Sequence, residues 1–263
     1  IATGPDGALW YTMFSAVGHF TPQAPALSVT PSTAILAAGA TTLVINGSGF
    51  DASTPGNNIV TFTSGAAGTV TAATATRLTV TFSTKPQAGP LKAFVSNGSG
   101  DAGAFPQVAT VIPVVTPDAS HVLASATVLT INGFGFSPTP ANNVVTVSSG
   151  TASVSAATAT QLTLNVAGLS PGALTAQVTV NGQASGAAVQ VATIVTSIPA
   201  TMSANVGATP QSASINAVFA NPLGVTILDA SNTPVSGAIV TFMAPGAGAS
   251  GLFANARSEE HTS

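Results

Sequence analysis

Residues 41–50 read Thr-Thr-Leu-Val-Ile-Asn-Gly-Ser-Gly-Phe, and residues 127–136 read Thr-Val-Leu-Thr-Ile-Asn-Gly-Phe-Gly-Phe. One segment therefore occurs twice. Downstream of it, TAATATRLTV at 71–80 returns as SAATATQLTL at 155–164. Val108-Ala109-Thr110-Val111 returns as Val191-Ala192-Thr193-Ile194. Asn46 and Asn132 lie 86 positions apart, Thr74 and Thr158 84, and Val108 and Val191 83, so small loop changes separate the copies. A period of this size is too long for a solenoid repeat. It predicts one small β-sandwich, duplicated.

The pattern inside each copy is that of short antiparallel strands. Runs of four to seven residues alternate apolar and polar, and Gly, Pro and Asn clusters separate them. Leu78, Val80 and Phe82 share one face, and Arg77, Thr79 and Thr81 share the other. The second copy keeps the order, with Leu162, Leu164 and Val166 facing in and Gln161, Thr163 and Asn165 facing out. Period two puts one face on a core and the other in water. No segment has helical periodicity, and Pro and Gly recur too often for long helices. The expected class is all-β. In Asn46-Gly47-Ser48-Gly49-Phe50 and Asn132-Gly133-Phe134-Gly135-Phe136, Asn-Gly predicts left-handed backbone and the second Gly another tight bend. Phe50 and Phe136 are expected to plug the end of each sandwich.

Composition narrows the function classes. The chain has 263 residues, a formal charge of −3 and no cysteine. No basic residue stands between Lys92 and Arg257. Nucleic-acid binding needs several Lys or Arg against phosphates, so that partner is not expected. Thr, Ser, Asn, Gly and Pro interrupt every apolar stretch, so no membrane span is expected. Without cysteine there are no disulfides and no thiolate metal sites. Low charge with abundant Thr, Ser, Ala, Val and Gly suits exported bacterial β-proteins, a compositional association, and the expected location is outside the cell or on its surface.

The two copies resemble the IPT/TIG family of Ig-like domains, whose second strand ends in a T-x-T-G-x-G-F pattern like the repeated segment. The resemblance spans roughly residues 25–195 and implies two Ig-like sandwiches, at 25–112 and 113–195. Family members serve as stalk modules in surface proteins and as parts of receptors, carbohydrate enzymes and transcription factors. The basic loops of the DNA-binding branch are missing here. Residues 196–256 differ. Val225-Thr226-Ile227-Leu228-Asp229 through Pro234-Val235-Ser236-Gly237 to Phe242 reads strand, turn, strand, with Asp229 bonding its own turn. That run, with Ala244–Phe253 after it, resembles the bacterial Ig-like, invasin-type domain, here stopping before its last strands. An open sheet edge is expected there. Residues 1–24 differ again. Gly4-Pro5-Asp6-Gly7-Ala8-Leu9-Trp10-Tyr11-Thr12 with Val17-Gly18-His19-Phe20-Thr21 resembles one blade of a streptogramin-lyase-type β-propeller. One blade cannot close a propeller, so a blade remnant is expected. Met13 and His19 replace the family's usual acidic and basic residues.

The ends look foreign or cut. Arg257-Ser258-Glu259-Glu260-His261-Thr262-Ser263 is the in-frame translation of AGATCGGAAGAGCACACGTCT, which resembles the start of a sequencing adapter. These residues hold both glutamates of the chain. They are read as adapter sequence that should not pack on the third unit. Ile1 begins in mid-pattern without an initiator Met, so both natural termini are expected to lie outside the chain.

No catalytic, cofactor-binding or metal-ligating residue is assigned. His19 reads as a strand residue at a blade rim. His121 opens the second copy where the first has Ile35 nearby, so no paired role emerges. His19 or His121, Asp118 and a serine could be written as a triad, but no nucleophile elbow supports it. Paired carboxylates for glycoside hydrolysis must lie about 5–10 Å apart. Asp6, Asp51, Asp101, Asp118 and Asp229 are scattered, and each sits at a turn, which predicts turn capping. No calcium-loop spacing occurs. Asn46-Gly47-Ser48 and Asn97-Gly98-Ser99 match the glycosylation sequon but read first as turns. Gly49 and Gly135 read as bends, not phosphate loops, since no helix follows. Trp10 and Tyr11 are expected to pack in the blade, and Phe62 and Phe82 fall on core-facing positions. No exposed aromatic platform is therefore expected on the sandwiches.

The sequence thus predicts a non-enzymatic spacer segment of a multidomain bacterial extracellular or surface protein. It is expected to be monomeric and to need no cofactor. The first alternative is an adhesive module that binds a glycan or a surface protein through strand-end loops. The second is an accessory part of an enzyme whose active site lies in an upstream propeller.

Overall fold

Alternating apolar residues must bury one face, and in this chain they do so in paired sheets. The computed structural model describes residues 1–4, 8–14, 16–20, 25–215, 217–243 and 258–262, without the side chains of His19 and 258–262. The chain starts with β1 (Ala2–Thr3), β2 (Leu9–Met13) and β3 (Ala16–Phe20), an antiparallel three-stranded sheet.

The first copy holds β4 (Ser28–Val29), β5 (Ile35–Ala37), β6 (Thr42–Ser48), β7 (Ile59–Phe62), β8 (Ala67–Thr74), β9 (Arg77–Thr84), β10 (Gly89–Asn97), β11 (Gly100–Asp101) and β12 (Gln107–Ile112). One sheet runs β4-β6-β9-β8. In the other, β7, β11 and β12 pair with β10, and β5 runs parallel to β12. The second copy repeats this with β13 (Val114–Val115), β14 (His121–Leu123), β15 (Val128–Phe134), β16 (Asn143–Val147), β17 (Thr151–Ala157), β18 (Gln161–Ala167), β19 (Gly172–Val180), β20 (Gln183–Ala184) and β21 (Val189–Val195). Its sheets run β13-β15-β18-β17 and β14-β21-β19-β16, with β20 on β19. Two of the bulges match, while the shift at Ala67/Gly68 has no counterpart in the second copy. The register shifts between Val70 and Ala72 and between Val154 and Ala156, and again at Leu91/Lys92 and Leu174/Thr175.

Each pair of sheets encloses one apolar core. Leu78, Val80, Leu91, Val95 and Val111 are fully buried in the first, and Leu162, Leu164, Leu174 and Ile194 in the second. Phe82 is half-buried and packs on the first core, 5.5 Å from the Phe62 ring. Phe50 is 5% exposed and Phe136 0%, so both close their sandwich ends as the sequence predicts.

The first glycine of each Gly-x-Gly-Phe acts differently from the expectation. Asn46-Gly47 lies inside β6 and Asn132-Gly133 inside β15, not in turns. A Cβ on Gly47 would meet the Ser28 carbonyl and stand 2.5 Å from the Phe50 ring. On Gly133 it would meet the Val114 carbonyl and stand 2.5 Å from the Phe136 ring. Glycine is required there because backbone and ring approach closely. Within the two Asn-Gly-x-Gly-Phe segments, the left-handed backbone is at Gly49 (φ +73°) and Gly135 (φ +79°).

The C-terminal region forms two small sheets, β22 (Thr201–Ala204) with β23 (Val225–Leu228), and β24 (Ile239–Met243) with β25 (Ser258–Thr262). Asp229 Oδ1 accepts the Ser231 and Thr233 backbone N–H groups at 2.8 and 2.9 Å, as the turn reading predicts. The Ala244–Phe253 run lies outside the described residues. The tail corrects an expectation: Ser258–Thr262 pair antiparallel with Met243–Ile239. An open edge offers N–H and C=O groups to any extended segment, whatever its origin. The first sheet gives a second correction. Trp10 and Tyr11 are 37% and 36% exposed, because among the described residues a three-stranded sheet has no second layer to cover them.

Candidate functional site

Among the described residues, two places bear on function: the junction between the sandwiches, and a cavity at the other end of the first. The junction starts where β12 runs through Ile112 and Pro113 directly into β13. So short a connection brings the β9–β10 loop, Lys85-Pro86-Gln87-Ala88, against the Phe136 end of the second sandwich. The Ala88 N–H donates to the Gly135 carbonyl at 3.0 Å, and the Ala88 carbonyl accepts from Asn181 Nδ2 at 3.2 Å. Ala88 is 4% exposed and belongs to the core cluster of the second sandwich. In return Phe134, from the second sandwich, packs against the core of the first. Its ring stands 3.4 Å from a Cβ built on Gly39, with Lys85 Nζ 4.9 Å above its centroid, a cation–π distance. Lys85 Nζ also donates to the Gly39 carbonyl, and to that of Ala40 at 3.3 Å.

At the opposite end of the first sandwich the same backbone frames a cavity of about 480 Å³, lined by Pro25, Phe50, Asp51, Ala75, Asn97 and Ser99 among others. Asn58 fixes the rim. Its Oδ1 accepts the Asp51 N–H at 2.9 Å and its Nδ2 donates to the Asp51 carbonyl at 2.8 Å. Asn143 makes the same two bonds to Ser137, at 2.9 and 2.8 Å. Asn97 Nδ2 donates to the Gly49 carbonyl at 3.0 Å and to Asn58 Oδ1 at 3.3 Å.

The carboxylates serve their own turns. Asp51 accepts Ser53 Oγ at 2.6 Å, Asn57 Nδ2 at 2.7 Å and the Ser53 and Thr54 N–H groups at 2.9 and 3.0 Å. The Ser53 hydroxyl first, then the Asn57 amide and the Thr54 N–H, hold this carboxyl far below the usual aspartate range. Asp118 is likewise lowered, first by the Ser120 hydroxyl and then by the Ser120 N–H. Asp101 accepts the Gly103 N–H at 2.8 Å. With lone pairs occupied by loop donors, these groups act as anchors for backbone. Asp6 lies outside the described residues, as does the side chain of His19. His121 is exposed on β14, paired with Thr193 as Ile35 is with Thr110. Among the described residues no group of three His, Cys, Asp or Glu could hold a metal, and no helix is long and apolar enough to cross a membrane.

One surface was not expected. Phe94 and Phe105 stack with centroids 5.2 Å apart on the outer face of the β10 sheet, and Phe105 is 46% exposed. The signal was in the alternation. Leu91, Ala93 and Val95 are buried, so Lys92, Phe94 and Ser96 must face out.

The IPT/TIG domain family matches residues 110–194. This stretch is an IPT/TIG domain. It takes in the second sandwich and the end of β12, the strand that leads into it. No curated protein matches the chain. Among solved structures, the chain is similar to a surface glycan-binding protein of a Bacteroides ovatus mixed-linkage glucan utilization locus, solved with a heptasaccharide. Identity is 20%, over 72% of this chain and 50% of that one, with a TM-score of 0.29. It is also similar to FdeC, an Escherichia coli adhesin (20% identity, 84% and 80% covered, TM-score 0.30). Invasin, a bacterial integrin-binding protein, aligns at 14% identity over 84% of this chain and 51% of its own, with a TM-score of 0.30. The chain spans about half the length of the glycan-binding structure. At these scores the Ig-like assignment rests on the IPT/TIG domain and on the sheets.

Proposed function

We propose that this chain is a non-catalytic spacer segment of a multidomain bacterial extracellular or cell-surface protein. The units are a propeller-blade remnant at 1–24, IPT/TIG-like sandwiches at 25–112 and 113–195, a truncated invasin-type unit at 196–256, and adapter-derived residues at 257–263. The observation that carries the reading is the reciprocal junction. Ala88 sits in the core of the second sandwich and Phe134 on the core of the first. Neither sandwich can rotate on the other without exposing apolar surface and breaking the bonds at Ala88, so the pair acts as one stiff rod. A stiff rod of turn-capped loops is suited to holding other domains at a distance.

The absence of cysteine makes the test clean. Thr61→Cys and Thr146→Cys place spin labels at equivalent exposed positions of β7 and β16. A single narrow distance distribution is expected between them. A broad distribution, as for two beads on a string, would remove the basis of the spacer reading. An adhesive role through strand-end loops is the second reading, and the cavity at Phe50 is what favours it. Binding of a cell-wall or plant glycan that is abolished by Phe50→Ser or Ser99→Trp would replace the first reading with the second.

A further inference from the structure

We propose that Asn181-Gly182 is a deamidation site, and that its conversion loosens the junction between the sandwiches. The second half rests on the spacer reading above. Asparagine before glycine is prone to this reaction because glycine has no side chain to shield its nitrogen. The Gly182 nitrogen adds to the side-chain carbonyl carbon of Asn181, Cγ. The Cγ–Nδ2 bond breaks, and ammonia leaves with the proton of the Gly182 N–H. The five-membered imide then takes up one water molecule at either carbonyl, which leaves aspartate or isoaspartate at position 181.

The chain carries four Asn-Gly pairs, starting at Asn46, Asn97, Asn132 and Asn181. In each, Cγ has to swing onto the glycine nitrogen, so bonds that hold either group slow the step. Asn46 and Asn132 sit inside β6 and β15, where the Gly47 and Gly133 N–H groups donate to the Thr76 and Thr160 carbonyls at 3.0 and 2.9 Å. The ladder would have to open before either could react. Asn97 ends β10 half-buried, with its amide held at both atoms. Nδ2 donates to the Gly49 carbonyl at 3.0 Å and to Asn58 Oδ1 at 3.3 Å, and Oδ1 accepts the Ser99 N–H at 2.9 Å. Asn181 is tied least. It lies with Gly182 in the exposed turn between the paired Val180 and Gln183, at φ +49° and +78°. Among the described residues its side chain makes one bond, Nδ2 to the Ala88 carbonyl at 3.2 Å, and no acceptor takes the Gly182 N–H.

That one bond crosses the junction. Ala88 is buried, so its carbonyl has little water to turn to once the amide is gone. A carboxylate accepts but does not donate, so either product removes the donor and sets a negative charge against the carbonyl oxygen. Isoaspartate also adds one carbon to the main chain of the turn, against the Val180↔Gln183 pairing. The bond to Ala88 is what restrains Cγ, so each opening of the junction exposes the amide to reaction, and each conversion makes the next opening easier.

The test uses the full chain with spin labels on Thr61→Cys and Thr146→Cys, aged in mildly alkaline buffer. Digestion and mass spectrometry read the exchange of NH2 for OH at each of the four asparagines. Conversion is expected fastest at Asn181, roughly tenfold slower at Asn97 with its two further bonds, and absent at Asn46 and Asn132 while the chain stays folded. In urea the four sites should react at similar rates. The label distance should broaden in step with conversion at 181, and Asn181→Asp should broaden it in a fresh chain. Reaction at Asn97 or at the strand asparagines as fast as at Asn181 overturns the proposal, and so does conversion at 181 that leaves the distance unchanged. A distance already broad in the fresh chain sinks the spacer reading and the loosening with it, while the order of reaction at the four sites still decides the deamidation site.

Discussion

At the Phe136 end of the second sandwich a loop of the first fills the space over the ring, and Phe136 is 0% exposed. At the Phe50 end of the first, the same strand, glycines and asparagine frame an open cavity, and Phe50 is 5% exposed. The Gly-x-Gly-Phe backbone is shared, but its surroundings differ: Ala38, Ala88 and Pro113 stand over Gly135, and Pro25, Ala26 and Leu27 over Gly49, and the adjoining turn is left-handed at Asn181 and Gly182 but not at Gly98 and Ser99. The neighbour adds to this, since the Phe136 end has a sandwich joined to it by Ile112 and Pro113. Local sequence writes the shared part of the frame, and the adjoining turn and the order of units along the chain set what surrounds it.

The comparison can be broken most directly at the two rings. Phe136→Ala should cost about 3–5 kcal/mol, because the hole it leaves is walled by both sandwiches. Phe50→Ala should fall at the low end of that range, since its hole opens to the existing cavity and can hydrate. Urea titrations followed by amide signals of each sandwich give both values. A larger loss for Phe50 would mean that the junction does not tighten its end. The glycines test the shared frame. Gly47→Ala and Gly133→Ala should each cost about 1–3 kcal/mol by overpacking, and nearly the same amount. Unequal costs would show that the frames differ more than their backbones suggest. Asn181→Ala removes one bond to Ala88, and about 1 kcal/mol of loss is expected in the second sandwich, with a wider label distance between 61 and 146. An unchanged distance would assign the stiffness to apolar packing alone.

The smallest expected effect concerns acid. The folded state lowers the Asp51 and Asp118 carboxyls, so their contribution is complete above the ordinary aspartate range and is lost as pH falls through the lowered values. Each sandwich holds one such group, and both groups are exposed, so the two should weaken slightly and together below about pH 4. Asp51→Ser installs the residue that the second sandwich carries at this place, Ser137. It should remove only the first sandwich's acid response. A response that persists in that variant would place its origin elsewhere.

Much of the fold was legible from period two and from repetition. The in–out order of Leu78, Val80, Leu162 and Leu164 follows from alternation, and the matching ends follow from Gly-x-Gly-Phe in both copies. What sequence could not show is contact across units. Nothing local marks Ala88 or Asn181, because their partners lie in the other sandwich. Gly47 looked like a turn because Asn-Gly favours one, yet a carbonyl and a ring approaching from elsewhere made it a strand residue. Phe94 was within reach of the alternation rule, applied to β10 as it had been to β9. The pairing of 258–262 with β24 depends on an open edge, which no property of Arg257-Ser258-Glu259 announces.

The parallel pairings of β5 with β12 and of β14 with β21 have a mechanical meaning. Each joins the early segment of a sandwich to its last strand, side by side and pointing the same way. A pull on the two ends of the chain therefore draws these strands past one another along their length. Their ladder hydrogen bonds are loaded in shear, all at once, rather than peeled open from one end. Drag on whatever such a segment carries would meet its stiffest direction first.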